Sequence, residues 1–161
     1  MFHPMRRKRQ ALSAAECSAV LERGTSGVLA LQGEESYPYA VPLSYVYHDG
    51  KLYFHCARSG HKLEAIAANP RTCFCVIDQD QVVPAEYTTY FRSVMVFGTL
   101  RILEEEGEKQ AAIDCLAAKY APADTPEHRK AYIKREWGGL CMLEMSAEHI
   151  SGKQAIELVQ G

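Results

Sequence analysis

The sequence predicts a mainly β protein: about six antiparallel strands closing into a small barrel, with three or four helices at its periphery. Three observations carry this. The first is a meander of Tyr- and Val-rich runs joined by turns too short for a parallel crossover. The second is a long β-rich run, Tyr90 to Leu103, with Gly98 in its middle marking a bulge or bend. The third is that segments of helical period interrupt the strands without alternating regularly with them. An open antiparallel sheet with helices on one face is the other architecture this pattern allows.

The elements follow in order. Ser13 to Arg23 reads as a helix: Ser13 caps it, Glu16 completes a capping box, and Gly24 ends it. Gly27 to Leu31 is a first strand, Gly33 to Ser36 a turn, and Tyr37 to Tyr47 a second strand. His48-Asp-Gly50 carries the Asp-Gly hairpin signal, which makes Lys51 to Cys56 the third strand. A helix then begins near Ser59, which can cap it. Leu63, Ile66 and Ala67 give it an apolar stripe, and Asn69-Pro70 stops it. Arg71 to Asp78 is a fourth strand and Gln79 to Glu86, polar with a proline, a loop. After the run from Tyr90 come a helix over Glu104 to Tyr120, a short helix over Glu127 to Arg135, and a last strand over Leu140 to Ile150.

Composition narrows the function classes. The chain has 161 residues, 47% hydrophobic and 24% charged, enough for one domain (1–161, with residues 1–12 as an N-terminal arm) and one small-molecule site. No apolar run reaches the ~18 residues of a membrane span. Net charge is −2, so counterion release offers nucleic acid little. The one basic cluster, Arg6-Arg-Lys-Arg9, reads as a solvated arm that packs on a partner subunit. No apolar stretch follows it as in a signal peptide, so the expected location is cytoplasmic, with neither a membrane nor a nucleic-acid partner.

Six cysteines stand at 17, 56, 73, 75, 115 and 141. Without a secretory context they read as free thiols. Cys73 and Cys75 share one face of an apolar strand, and no second Cys pair completes a zinc site, so no metal is expected.

The chemistry concentrates in Tyr53-Phe-His-Cys-Ala-Arg-Ser-Gly-His-Lys-Leu63. A strand ends, a polar turn follows, and a helix begins whose free backbone N–H groups carry partial positive charge. Arg58, His61 and Lys62 add cationic or hydrogen-bonding side chains, and Ser59 a hydroxyl, which together make a phosphate pocket. The pattern is neither a P-loop nor a dinucleotide fingerprint, because the glycines are missing. His61 is also a candidate proton donor to a bound acceptor.

The runs Tyr39-Ala-Val-Pro-Leu-Ser-Tyr-Val-Tyr47, Gly50-Lys-Leu-Tyr-Phe-His55, Gly60-His-Lys-Leu63 and Tyr90-Phe-Arg-Ser-Val94, in that order, resemble the nitroimidazole-resistance (Nim-type) proteins. These belong to the pyridoxamine 5′-phosphate oxidase-like group of FMN-binding split barrels. The resemblance extends to the opening Met5-Arg-Arg-Lys8 and the closing Ile150-Ser-Gly-Lys153. It implies a six-stranded antiparallel split β-barrel, a homodimer, and two FMN sites at the subunit interface. By position, Val41, Pro42, Leu43, Ser44 and Tyr45 would line the isoalloxazine through backbone contacts. His55 and Cys56 would touch the flavin or its ribityl chain. His61 and Lys62 would hold the phosphate, with Ser59 beside them, and Ser93 would reach the cofactor from the facing strand.

The chain departs from the true oxidases of that group. Ala40 or Tyr39, and Tyr45, stand where those carry an arginine and a lysine. No arginine-rich segment for a pyridoxal phosphate substrate follows Leu140, so vitamin B6 oxidation is not expected. The function implied is an FMN-dependent oxidoreductase that reduces nitro-aromatic or similar small acceptors. A non-catalytic flavin store and a haem-binding relative of the same barrel are the alternatives, the latter because His and Cys near the pocket could ligate iron.

Overall fold

The computed structural model describes residues 2–159. The strands are β1 (Ser26–Gln32), β2 (Pro38–Ser44), β3 (Val46–His48), β4 (Lys51–Ala57), β5 (Arg71–Val83), β6 (Thr88–Ile102) and β7 (Leu140–Gln154). The helices are α1 (Ala14–Arg23), α2 (His61–Ala68), α3 (Glu106–Tyr120) and α4 (Pro126–Glu136). All strand pairs are antiparallel, in the order β2-β1-β5-β6-β7-β4-β3.

The strand count is seven rather than six. The run from Tyr37 to Tyr47, uniformly rich in β-formers, is not one strand. Its first part pairs with β1, with Ser44 opposite Ser26, and its last two residues, continued by His48, pair with β4, with Val46 opposite Tyr53. β2 and β3 are therefore the two opposite edges of the sheet, and Tyr45 alone joins them. A single residue bridges two edges only if those edges lie side by side. The sheet is curled into a barrel that stays split along this seam.

Tyr45 fastens the seam. Its side chain is fully buried, and its hydroxyl donates to the Leu21 carbonyl of α1 at 2.8 Å. Its N–H donates to the Tyr120 hydroxyl of α3 at 3.1 Å, and that hydroxyl donates toward the Tyr45 carbonyl at 2.7 Å. The rings of Tyr45 and Phe54 both meet Phe74 edge-on, with centroids 5.0 Å apart. Aromatic pairs of this kind contribute about 0.5–1.5 kcal/mol each beyond their buried area. Leu29, Leu52, Val94, Val96 and Leu143 fill the rest of the interior. A second apolar cluster, around Ile113, Leu116, Ile133 and Met142, fixes α3 and α4 to the outside of the barrel wall.

The capping box of α1 forms as the sequence requires, and the Asp49-Gly50 hairpin turns with both residues at positive φ. Gly98 sits at the predicted irregularity. The β6–β7 register shifts between Phe97 and Gly98, and a Cβ at Gly98 would strike the Ser146 carbonyl. Gln79 to Glu86, expected as a loop, instead continues β5 to Val83, and only Pro84–Glu86 forms a short 3-10 turn before β6. The polar residues there sit on a two-stranded arm with solvent on both sides, where alternation of apolar residues is not needed. No helix among the described residues is long and apolar enough to cross a membrane.

Candidate functional site

The start of α2 is built differently from what the sequence suggested. The helix begins at His61, and its N-cap is Gly60 rather than Ser59; no side chain caps it. Gly60 has φ 126° and ψ 168°, a conformation open essentially to glycine alone. The turn therefore selects the glycine, and Ser59 lies outside the cap. The Gly60 carbonyl accepts from Leu63 N–H at 2.9 Å, which leaves the N–H groups of His61 and Lys62 without an intrahelical partner. A Cβ at Gly60 would meet nothing within 4 Å, so the approach to these groups is open.

The helix start rests on the β1–β2 end of the barrel. The His61 ring meets Tyr39 of β2 edge-on at 4.5 Å, and its Nδ1 lies 3.8 Å from a carboxylate oxygen of Glu34. Single ligand atoms of Glu34, His61 and Glu64 lie within 4.8 Å of one another, all on exposed residues. These carboxylates are the anionic side of the helix start. Lys62, half-buried, is the cation on the other side and lies near Cys56. Arg58 turns away, donating to the Gly138 carbonyl at 3.0 Å.

On β2, alternation divides the predicted flavin-lining residues. Tyr39, Val41 and Leu43 pack against the barrel core, while Ala40, Pro42 and Ser44 are exposed on the outer face. The wall offered outward is therefore Ala40-x-Pro42 with the Ser44 hydroxyl, not the Val41 and Leu43 side chains. Tyr45 drops out of the set. It is fully buried and its N–H is already committed to Tyr120, so it has no donor left for a ring.

On β4, His55 is exposed and Cys56 half-buried, with Cys56 packed against the barrel core. Both touch a cavity of about 430 Å³ between the end of β4 and helices α3 and α4, bounded also by Leu116, Tyr132 and Leu140. A larger hollow of about 830 Å³ lies between α3 and α4 against Trp137, lined by charged residues such as Asp114 and Lys130, and holds none of the predicted site residues.

Ser93 stands apart. It pairs with Ile77 of β5 and Lys153 of β7. Extending the β1–β5 register beyond Val28–Cys75 sets Ser26 beside Ile77, so Ser44, Ser26, Ile77 and Ser93 form one row across the sheet. Three strand spacings put Ser93 about 14 Å from Ser44. Within one chain the structure joins Tyr39 and the start of α2, and does not join Ser93 to them. Between these points the outer face is apolar: Val28 is 39% exposed, Ile77 64% and Met95 39%, with Cys73 and Cys75 alongside.

Sequence reasoning missed Tyr39, Glu34 and Cys141 as neighbours of this region. Tyr39 was readable as the inward partner of an alternating strand. The other two depend on which strands pair, which no local pattern carries.

A curled antiparallel sheet left open between β2 and β3, with helices at its periphery, defines a split-barrel protein. The chain belongs to the pyridoxamine 5′-phosphate oxidase family, whose model matches residues 13–154. Solved structures with the same fold include a protein assigned to 5-nitroimidazole antibiotic resistance from Bacteroides thetaiotaomicron. It is 19% identical, with a TM-score of 0.74, over 89% of this chain and 86% of that one. An FAD-binding protein from Mesorhizobium loti is 26% identical, with a TM-score of 0.68, over 91% and 97%. An FAD- and heme-binding protein from Mycobacterium smegmatis is 20% identical, with a TM-score of 0.75, over 91% and 73%. No curated protein matches the chain significantly.

Proposed function

We propose that the protein binds FMN and is an oxidoreductase of the nitroimidazole-resistance type. In this reading it passes electrons from a reduced nicotinamide to a nitro-aromatic or similar small acceptor, and it works as a homodimer. The observation that carries the reading is the start of α2. Two free N–H groups, Lys62 and His61 lie together there at the β1–β2 end of the barrel, and charge-assisted contacts of this kind suit a phosphate. The apolar outer face of β1, β5 and β6 supports the dimer, because a row of exposed Val28, Ile77 and Met95 is the sort of patch that associating proteins cover. A facing copy would also bring a second Ser93 toward a flavin that its own chain cannot reach.

When bound, the flavin supplies the redox chemistry. The chain's own part is to hold the phosphate through Lys62 and the α2 N–H groups, to wall the ring with Pro42 and orient it with Ser44. His61, edge-on to Tyr39, joins Lys62 on the phosphate; turned to the acceptor instead, it would be the proton donor. The FAD-binding neighbour supports a flavin in this barrel, and the antibiotic-resistance neighbour supports the acceptor class. The FAD- and heme-binding neighbour keeps a haem reading alive, with exposed His55 as the available ligand.

Titration of the purified protein with FMN, FAD, riboflavin and haemin tests this. FMN is expected to bind with saturable quenching of its fluorescence, and riboflavin about ten- to a hundredfold more weakly, the effect of losing a charge-assisted contact of about 1.5–3 kcal/mol. NADH or NADPH should then bleach the bound flavin, and a nitroimidazole should restore its colour. Equal affinity for FMN and riboflavin would remove the phosphate pocket. A Soret band with haemin and no flavin uptake would replace the reading with the haem one. A bound flavin that neither NADH nor NADPH bleaches would leave a storage protein.

A further inference from the structure

The geometry points to Cys56 and Cys141 as a reversible dithiol–disulfide pair, oxidised by exchange with a low-molecular-weight disulfide of the glutathione type. The pairing of β4 with β7 sets these two residues directly opposite one another. Opposed residues in antiparallel strands have Cα atoms about 4.5 or 5.5 Å apart, and both values fall inside the roughly 4.4–6.8 Å that a disulfide spans. Both side chains belong to the same face of the sheet. Cys141 is part of the barrel core and Cys56 packs against it. The Cβ atoms of opposed residues stand about 4.5–5.5 Å apart against the roughly 3.5–4.5 Å of a disulfide, so β4 and β7 draw together by about 1 Å when the sulfurs join.

The other thiols lack this arrangement. Cys73 and Cys75 are two residues apart on one strand, with side chains side by side and Cα atoms about 6.8 Å apart. Cys17 lies on α1 and Cys115 on α3. All six are free thiols in the structure.

Access exists from both sides. Cys56 opens on the 430 Å³ cavity that also holds His55 and Glu136, and Cys141 on a cavity of about 400 Å³ that holds Arg58, Glu104 and Lys109. Leu140 belongs to both. Cys56, half-buried where Cys141 is 7% exposed, is the entry sulfur. Burial pushes its thiol up to about 11, Cys141 adds to the rise, and the Lys62 ammonium partly opposes it.

The exchange balances as follows. The Cys56 thiolate attacks one sulfur of oxidised glutathione, forming a mixed disulfide and releasing one glutathione thiolate. Cys141 then attacks the Cys56 sulfur, forming the protein disulfide and releasing the second. The two protons of the cysteines pass to the two leaving thiolates, and two electrons go from the protein to glutathione.

The full chain is reduced, freed of reductant, incubated with oxidised glutathione and denatured for thiol titration. The count should fall from six to four. Digestion with trypsin should then give residues 52–58 linked to residues 136–153, lighter by two hydrogens than the sum of the two peptides. Because the thiolate is the reacting form, the rate should rise about tenfold between pH 7 and pH 8. C56S and C141S should each fail to give this linked peptide. A count that stays at six overturns the proposal. So does a glutathione adduct at Cys56 that persists in the unsubstituted protein, or a bridge involving Cys73 or Cys75. The peptide map of the unsubstituted protein decides the matter even if a variant fails to fold, and it needs no flavin.

Discussion

The starts of α1 and α2 solve the same problem in opposite ways. At α1, the Ser13 hydroxyl accepts from Glu16 N–H at 3.3 Å, and the Glu16 carboxylate accepts from Ser13 N–H at 2.7 Å. The helix end is closed on itself. Glu105 and Thr125 likewise cap α3 and α4 through their side chains. Among the four α-helices described, only α2 has a glycine N-cap and no side-chain cap. Three helices complete their own hydrogen bonding and serve as structure. The fourth leaves its N–H groups open, with the Lys62 side chain beside them. A capping box stabilises a helix by about 1 kcal/mol, and forgoing it fits a helix end meant for an anion.

The largest effect expected of this difference is on ligand affinity. Lys62→Ala should weaken FMN binding by one to two decades, the equivalent of roughly 1.5–3 kcal/mol, with little change in the unfolding midpoint because the ammonium makes no ion pair among the described residues. A flavin titration of the variant that matched the parent would put the phosphate somewhere other than α2 and dissolve the contrast between the two helices.

Gly60→Ala comes next, because it attacks the backbone of the open end without touching its charges. The side chain would have free space, but an alanine at φ 126° is strained by about 1–3 kcal/mol. The chain should relieve this by rebuilding the turn, which misaims the His61 and Lys62 N–H groups. Both chemical stability and FMN affinity should fall together. Loss of stability with FMN affinity intact would mean that the turn matters to the fold alone.

How much of this could be read in the sequence depends on the range of the interaction concerned. The α1 capping box and the Asp49-Gly50 hairpin were legible because each is complete within four or five residues. Gly98 was legible as a bend, because glycine in a long β run has few other reasons to be there. The strand break at Tyr45 was not. Ser44-Tyr-Val-Tyr47 reads as continuous strand, and only the closing of the barrel turns Tyr45 into the link between two sheet edges. Ser59 against Gly60 as the cap was decided by a positive φ that the packing of α2 on the β1–β2 end imposes. The candidate site was legible as a set of residue types near position 60. That Val41 and Leu43 share the inward face of Tyr39 was open to the alternation of β2; that Ser93 lies some strands away and that Cys141 stands opposite Cys56 follow from register, which distant pairing sets.

The smallest expected effect lies at the closed end, and it has a pH signature. Ser13→Ala removes the acceptor for Glu16 N–H and should cost about 1 kcal/mol at neutral pH, while flavin affinity stays unchanged. The Glu16 carboxyl is held below its ordinary value of 4.5, first by its hydrogen bond from the Ser13 backbone and next by the Ser13 hydroxyl. A carboxyl lowered on folding contributes stability that is fully present above its unfolded pKa and is lost as the pH falls through the folded one. The gap in unfolding midpoint between parent and Ser13→Ala should therefore hold steady from pH 7 to pH 5 and narrow below about pH 4.5. The narrowing is partial, because the variant keeps the backbone N–H bond to Glu16 and loses only the hydroxyl contacts. Denaturant melts at pH 7, 5 and 3.5 measure it directly. A gap that stays constant down to pH 3.5 would show that the hydroxyl caps α1 without help from the carboxylate, leaving a single hydrogen bond as the whole difference from α2.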